Sequence, residues 1–491
     1  VTDQITVGMN MQYLKDCKNY PSGGDLFQDG ENFWQDLIYN ADPRYPLYLP
    51  DASRLSYGGI FNGSPIWAVN IDNSGYYRVD GNNFKLTGFA EYDFKYVEGL
   101  SAKANILYTY NTSNLKWMHK RGQFYTYDYD TASYADAGGS VEPTSLQYST
   151  DISDNIVQQY SLNYDRSFGD HQISALAMFE SSLNKGYGYM TRRHDFKTAI
   201  IEEIIAGDEK TAKNSSYSSN YGRQSVIGRL NYNYAEKYMV EAAFRADASS
   251  RFAKGHRWGF FPSLSLGWNM AKEDFLSSSG IVDMLKLRAS AGASGYDAVA
   301  SFNYLTGYAN DMTWTFKDQL IQGISSTGMA NENLTWETMK IYNFGTDFSF
   351  LSRKVYGEFD VFQRDRTGIP GYRTQSLPST FGEKLPQENL NAIRSRGFEF
   401  KLGTMGSAGD FTFDVSSNIS YSRSKWTVYD QAEETDEDRI RLFVGKGNYI
   451  DRQIGYVTDG LFATQEEIDT WGVSFDDRNN DNSTLAPGDI K

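Results

Sequence analysis

Residues Lys237 to Asp247, KYMVEAAFRAD, divide by parity. Tyr238, Val240, Ala242, Phe244 and Ala246 form an apolar set. Lys237, Met239, Glu241, Ala243, Arg245 and Asp247 form a mostly charged or polar one. Side chains alternate between two faces in an extended strand, whose period is two. The stretch therefore predicts a strand with one apolar face and one watery face.

The pattern recurs along the chain. NFKLTGFAEYDFKY places Phe84, Leu86, Ala90, Tyr92 and Phe94 on one face. NIVQQYSLNYD sets Ile156, Tyr160, Leu162 and Tyr164 against Gln159, Ser161, Asn163 and Asp165. VIGRLNYNY, LKLRASAGA, YNFGTDFSF and FTFDVSSNI alternate in the same way. About thirteen such segments of roughly ten residues each are present. Soluble strands average about five or six residues, whereas a strand tilted across a bilayer needs about nine to eleven.

The connections alternate as well. VEGL, SFGD, AEK, LSRK and GSAG are tight turns, and between these hairpins lie long polar segments at 112–154, 185–220, 296–335 and 367–391. Short then long is the rhythm of an up-and-down barrel in an outer membrane. A soluble sandwich does not keep it, and a propeller would repeat every 40–50 residues or so. The expected fold is all-β, an antiparallel up-and-down transmembrane β-barrel. In it Val240, Ala242 and Phe244 are expected to meet lipid, and Glu241, Arg245 and Asp247 a wet lumen. Tyr232, Tyr234 and Tyr238 suit an interfacial girdle.

Composition narrows the alternatives. The 491 residues include 36 Tyr, 30 Phe and 44 Gly but only 11 Pro, a mix that favours strands and turns. Mean hydropathy is −0.55, and no run of about eighteen apolar residues exists to form a membrane helix. A net charge of −15 argues against nucleic acid, whose phosphates require Lys and Arg. Cys17 is the single cysteine, so no internal disulfide forms.

Little in the chain points to covalent chemistry. His119, His171, His194 and His256 have no zinc-ligand spacing. No G-x-S-x-G nucleophile elbow is present, so neither an enzyme nor a metal centre is expected. FDDRNNDNS (Phe475 to Ser483) is rich in oxygen donors for Ca2+ but lacks the spaced Gly and closing Glu of an EF-hand. A solvated loop is the favoured reading there, and no cofactor is expected. DQAEETDEDR (Asp430 to Arg439) reads as an exposed acidic loop. The ligand-binding candidates are the loop aromatics Trp34, Tyr39, Tyr45, Tyr48, Trp67, Trp117 and Trp314. Aromatic faces stack on the C–H faces of sugars while neighbouring Asp and Asn bond hydroxyls. The competing reading is that these rings pack within the loops or on a partner.

One stretch carries a closer likeness. SSRF at 249–252, GFFPSLSLGW at 259–268 and EDFL at 273–276 resemble the SusC/RagA family of TonB-linked outer-membrane transporters. LKLRASAGASG (Leu285 to Gly295), Asn333 to Ile369, RSRGFEFKLG (Arg394 to Gly403) and GYVTDGLFATQEEI (Gly455 to Ile468) fit the same family. The resemblance implies a 22-stranded barrel with an N-terminal plug, driven by the TonB–ExbB–ExbD complex. It further implies a SusD-like surface lipoprotein as a lid. The cargo it implies is an oligosaccharide, or oligopeptides in the RagA branch. Residues 1–491 are then expected to be a partial barrel with long extracellular loops, since the chain opens within a strand and closes in a loop without plug or terminal strands. The alternatives are a passive porin, a barrel enzyme, and a soluble or secreted β protein.

Overall fold

The computed structural model describes residues 4–22, 45–58, 64–140, 143–373, 379–383, 385–431, 433–455, 457–472 and 485–491. In chain order the strands are β1 (Ile5–Pro21), β2 (Leu55–Ser56), β3 (Gly75–Asp93), β4 (Leu100–His119), β5 (Gln123–Asp128) and β6 (Ser133–Gly139). β7 (Ser145–Phe168), β8 (His171–His194), β9 (Lys213–Tyr234), β10 (Tyr238–Ser249), β11 (Trp258–Asn269) and β12 (Val282–Tyr296) follow. The last are β13 (Tyr308–Phe316), β14 (Gln319–Ser326), β15 (Glu337–Phe350), β16 (Val355–Tyr372), β17 (Gln387–Ala408) and β18 (Phe411–Val428).

Thirteen of these form one sheet in the order β1-β3-β4-β7-β8-β9-β10-β11-β12-β15-β16-β17-β18. Every neighbouring pair whose register is resolved is antiparallel, so the chain meanders up and down. β1 and β18 are the two edges of the described sheet. No described helix is long and apolar enough to cross a membrane.

Residues paired in register share a face. One row joins Ala175, Leu230, Ala242, Leu264, Ala291 and Tyr342 across six strands. The next joins Ile173, Tyr232, Val240, Leu266, Ala289, Phe344 and Val361. Leu230, Leu264, Val240 and Phe244 are 39–49% exposed, so nothing in the described chain covers this face. The same apolar parity runs Ile5 to Tyr13 on β1, Phe84 to Tyr92 on β3 and Ile156 to Tyr164 on β7. The band is about nine residues deep on each strand, or about 23 Å at a typical tilt, which matches the apolar height of an outer-membrane barrel.

The strands outrun the band, and this corrects the expected loops. Segment 112–154 contains the end of β4, the strands β5 and β6, which pair with β2 in a small sheet, and the start of β7. Segment 185–220 holds the end of β8 and the start of β9 around a connection at 195–212. Segment 296–335 carries the hairpin β13–β14, and 367–391 the ends of β16 and β17. The apolar alternation stops before the ladder does. Above it the ladder continues with Tyr, Ser, Thr and Asn on both faces, as in β9 from Asn214 to Tyr221. β7, β8 and β9 rise roughly ten residues beyond the band, about 25 Å.

Beside them the wall drops. β10 ends at Ser249, opposite Arg223, while β9 continues to Lys213. The connection 250–257 is also short, an exception to the expected long loops on that end. At the other end the turns are tight, except for the connection 270–281. Ala235 and Glu236 adopt left-handed φ of 52° and 56°, the conformation that matches the twist of a two-residue hairpin.

Candidate functional site

The face opposite the apolar band is polar and closely paired. One row runs Asp165, Ser174, Asn231, Glu241, Ser265, Ser290 and Asn343 across seven strands. These residues line a trough of about 560 Å³ together with Lys286 and Arg288. Small hydroxyl and amide side chains leave the trough open and supply both donors and acceptors.

Arginines bridge neighbouring strands on this face. Arg245 donates to Asp247 Oδ1 at 2.7 Å, Glu180 Oε1 at 2.9 Å and Ser225 Oγ at 2.9 Å. Arg288 donates to Asp347 Oδ1 at 2.9 Å and Asp360 Oδ2 at 2.9 Å, joining β12, β15 and β16. Each guanidinium serves two carboxylates. The planar fork of Arg is suited to holding two acceptors at once. Glu241, Arg245 and Asp247 thus share one face, as their parity required, with Arg245 and Asp247 in direct contact.

A knot closes the low part of the rim. Phe252, Phe261, Val299, Leu334 and Trp336 form a buried cluster there, with Phe252 0% and Leu334 1% exposed. Arg257 donates to the Phe252 carbonyl at 3.0 Å, and Trp336 Nε1 donates to the Arg257 carbonyl at 2.8 Å. Beside them Asp297 accepts from Tyr221 and from Arg223, each at 2.7 Å, while Arg251 donates to its backbone carbonyl at 3.1 Å. Burial pushes the Asp297 carboxyl up, but the hydrogen bonds from Ser249 and Tyr221 and the cations Arg223 and Arg251 outweigh it and hold the pKa below the usual value. The SSRF stretch is part of this knot: Ser249 and Phe252 are fully buried.

A second knot lies at the top of β3, β4 and β7. Tyr76, Met118 and Leu146 are buried, and Phe196, Ala199 and Ile204 fold back onto them. Glu202 accepts from Tyr76 and, at 3.4 Å, from Lys116. Its carboxyl is pushed up by burial, yet these two partners bring it below its ordinary value.

The aromatic candidates separate. Trp67 and Trp117 are 3% and 7% exposed, which corrects their assignment as open ligand platforms. Trp67 packs edge-on against His119 and Phe124, and Trp117 Nε1 donates to Ser22 Oγ at 2.9 Å. The reasons are local: Trp67, on the helix Pro65–Val69, packs with Leu55, Tyr57 and Phe124 of the small sheet and its flank, whereas Trp117, on β4, lies against Tyr77 and beneath Arg192. Tyr45 packs edge-on against Tyr57. Tyr48 is 73% and Trp314 64% exposed, the latter on the hairpin β13–β14. Trp34 and Tyr39 lie outside the described residues, as does Phe475–Ser483. The expected acidic loop at Asp430–Arg439 ends in the helix Glu437–Phe443, capped by Asp436. Arg288, Asp347 and Asp360 stood on predicted strands of the right parity and were legible as inward charges. Asp297 and Trp336 carried no such signal, because only tertiary contact joins them to β9 and β10.

A meander with an apolar band on one face and ion-paired rows on the other defines the wall of an outer-membrane β-barrel. The chain belongs to the TonB dependent receptor-like, beta-barrel family, whose model matches residues 19–486. It is 27% identical over 473 residues to TonB-dependent receptor P3 of Formosa agariphila, covering 94% of this chain and 44% of that protein. It is 30% identical over 299 residues to TonB-dependent receptor SusC of Bacteroides thetaiotaomicron, covering 57% of this chain and 29% of that one. The chain therefore spans less than half the length of these curated relatives. The RagAB peptide importer in its open-open state aligns with TM-score 0.69 and 16% identity over 87% of this chain and 45% of that one, a likeness of fold. The protein resides in the outer membrane of a Gram-negative bacterium, and its family is one of receptors rather than an enzyme class.

Proposed function

We propose that this chain forms barrel wall of a SusC-type importer that takes up an oligosaccharide through the outer membrane, powered through TonB. The apolar band faces lipid, and the opposite face, with Glu241, Arg245 and Asp247, lines the lumen. A SusD-like lipoprotein covers the extracellular rim. The observation that carries the proposal is the polar row from Asp165 to Asn343, a continuous path of hydrogen-bonding groups across seven strands. Such a path exchanges hydrogen bonds with a hydroxylated solute at low cost, because each group lost to water finds another partner. Likeness to SusC supports a sugar cargo. Transport is binding, occlusion and energised release, with no covalent step.

Among the candidate aromatics that lie in the described residues, Tyr48 and Trp314 have the exposure that suits a sugar platform. The test is calorimetric titration of the purified full-length complex with panels of oligosaccharides and oligopeptides, with Trp314→Ala and Trp117→Ala compared. Sugar binding that weakens about tenfold in Trp314→Ala supports the reading. Binding of peptides alone would replace it with oligopeptide import.

A further inference from the structure

The turn after β11 is built as more than a connection. Tyr238 and Trp268 are directly paired across β10 and β11, on the same face as Val240 and Leu266. Their polar tips converge on one carboxylate. Tyr238 Oη donates to Glu273 Oε1 at 2.6 Å, Trp268 Nε1 donates to the same oxygen at 3.1 Å, and Lys237 Nζ donates to Oε2 at 3.3 Å. The Glu273 side chain is 15% exposed. The row extends sideways as an aromatic file: Tyr234 stacks on Tyr238 at 6.5 Å, and His171 contacts Tyr234 at 4.9 Å. In the connection that follows β11, Phe275 is 64% and Ile281 54% exposed.

We propose that the connection 270–281 is an interfacial anchor on the phospholipid of the periplasmic leaflet. This rests on the lipid-facing reading of the apolar band. Girdle aromatics ordinarily satisfy their polar atoms with water or lipid headgroups. Here Glu273 supplies the acceptor from the protein, so the two rings are fixed against the band before lipid arrives. Glu273 is a positioning residue, and Phe275 is the group that enters the leaflet. Lipid is the occupant because the file continues the apolar band without a break, at the end where the other connections are tight turns and a girdle belongs.

The test uses the full-length protein with Cys17→Ser, carrying one new cysteine at Phe275, Phe244 or Ser279 and a small fluorescent label. Each is reconstituted in phosphatidylethanolamine–phosphatidylglycerol vesicles with bromines placed near the headgroup or deep in the acyl chains. The label at 275 is expected to be quenched about twofold more by shallow than by deep bromines, and to resist iodide better than the label at 279. Glu273→Gln should retain this pattern and Glu273→Leu should lose it. Equal iodide quenching at 275 and 279 overturns the anchor. If 244 responds to deep bromines while 275 does not, the anchor fails and the lipid-facing band stands, with another protein surface covering Phe275. If neither responds, the band itself does not face lipid and the anchor falls with it.

Discussion

Ala242 sits at the centre of the apolar stretch Tyr238–Ala246, and its neighbours in register are Leu230 and Leu264. Ala243 points the other way, between Arg229 and Ser263. Replacing Ala242 with Arg places a guanidinium at mid-bilayer among leucines, at about 2–4 kcal/mol. That corresponds to roughly thirty- to seven-hundred-fold in the folding equilibrium. Replacing Ala243 with Arg puts the new charge opposite Arg229, and a like-charge cross-strand pair costs at most about 1 kcal/mol in a wet setting. The gap between the two variants is therefore at least about 1 kcal/mol and centres near 2. The assay is the amount of folded, heat-modifiable barrel in outer membranes, followed by urea unfolding in lipid vesicles. Ala242→Arg should be the worse variant in both. If Ala243→Arg is worse, the inside and outside of the wall are exchanged and the lumen assignment of Glu241, Arg245 and Asp247 falls.

Other expectations concern the inward face and the rim. Phe252→Ala removes a fully buried ring from the rim knot and should cost about 3–5 kcal/mol locally, read as protease cleavage within 250–257. Arg288→Met strands Asp347 and Asp360 side by side. Their partial exposure limits the loss to about 1–3 kcal/mol, and Asp347→Asn in the same chain should recover part of it in a urea melt. Asp297 has a lowered pKa in the folded state, so its contribution to the knot is complete above the ordinary Asp value of 3.8 and lost as pH falls through the depressed one. Hydrogen exchange at 250–257 should therefore rise below that pH, and Asp297→Asn should remove the dependence.

The thirteen strands of the large sheet, and which of their residues share a face, were readable from parity, while β5, β6, β13 and β14 were not. Val240 and Glu241 alternate as a wall between hydrocarbon and water requires, and that contrast is written residue by residue. The strand ends were not readable by the same signal. Above Tyr110 or Ile156 both faces meet water, so alternation stops while the hydrogen-bonded ladder continues to His119 and back from Ser145. Trp67 and Trp117 looked like loop aromatics for the same reason, and only tertiary contact, with Phe124 of the small sheet for Trp67 and with Tyr77 and Arg192 for Trp117, revealed them as buried. The rim knot lay partly in view as SSRF, but its partners Asp297 and Trp336 are distant in sequence and identified only by contact.

Native purification of the full-length protein from outer membranes in mild detergent, with mass spectrometry of every co-purifying polypeptide, tests the importer most directly. A stable complex with a SusD-like surface lipoprotein, capturing TonB when energised, is the expected result. Recovery of the barrel alone, with solute passage that continues when TonB is absent, would contradict it and leave a passive pore.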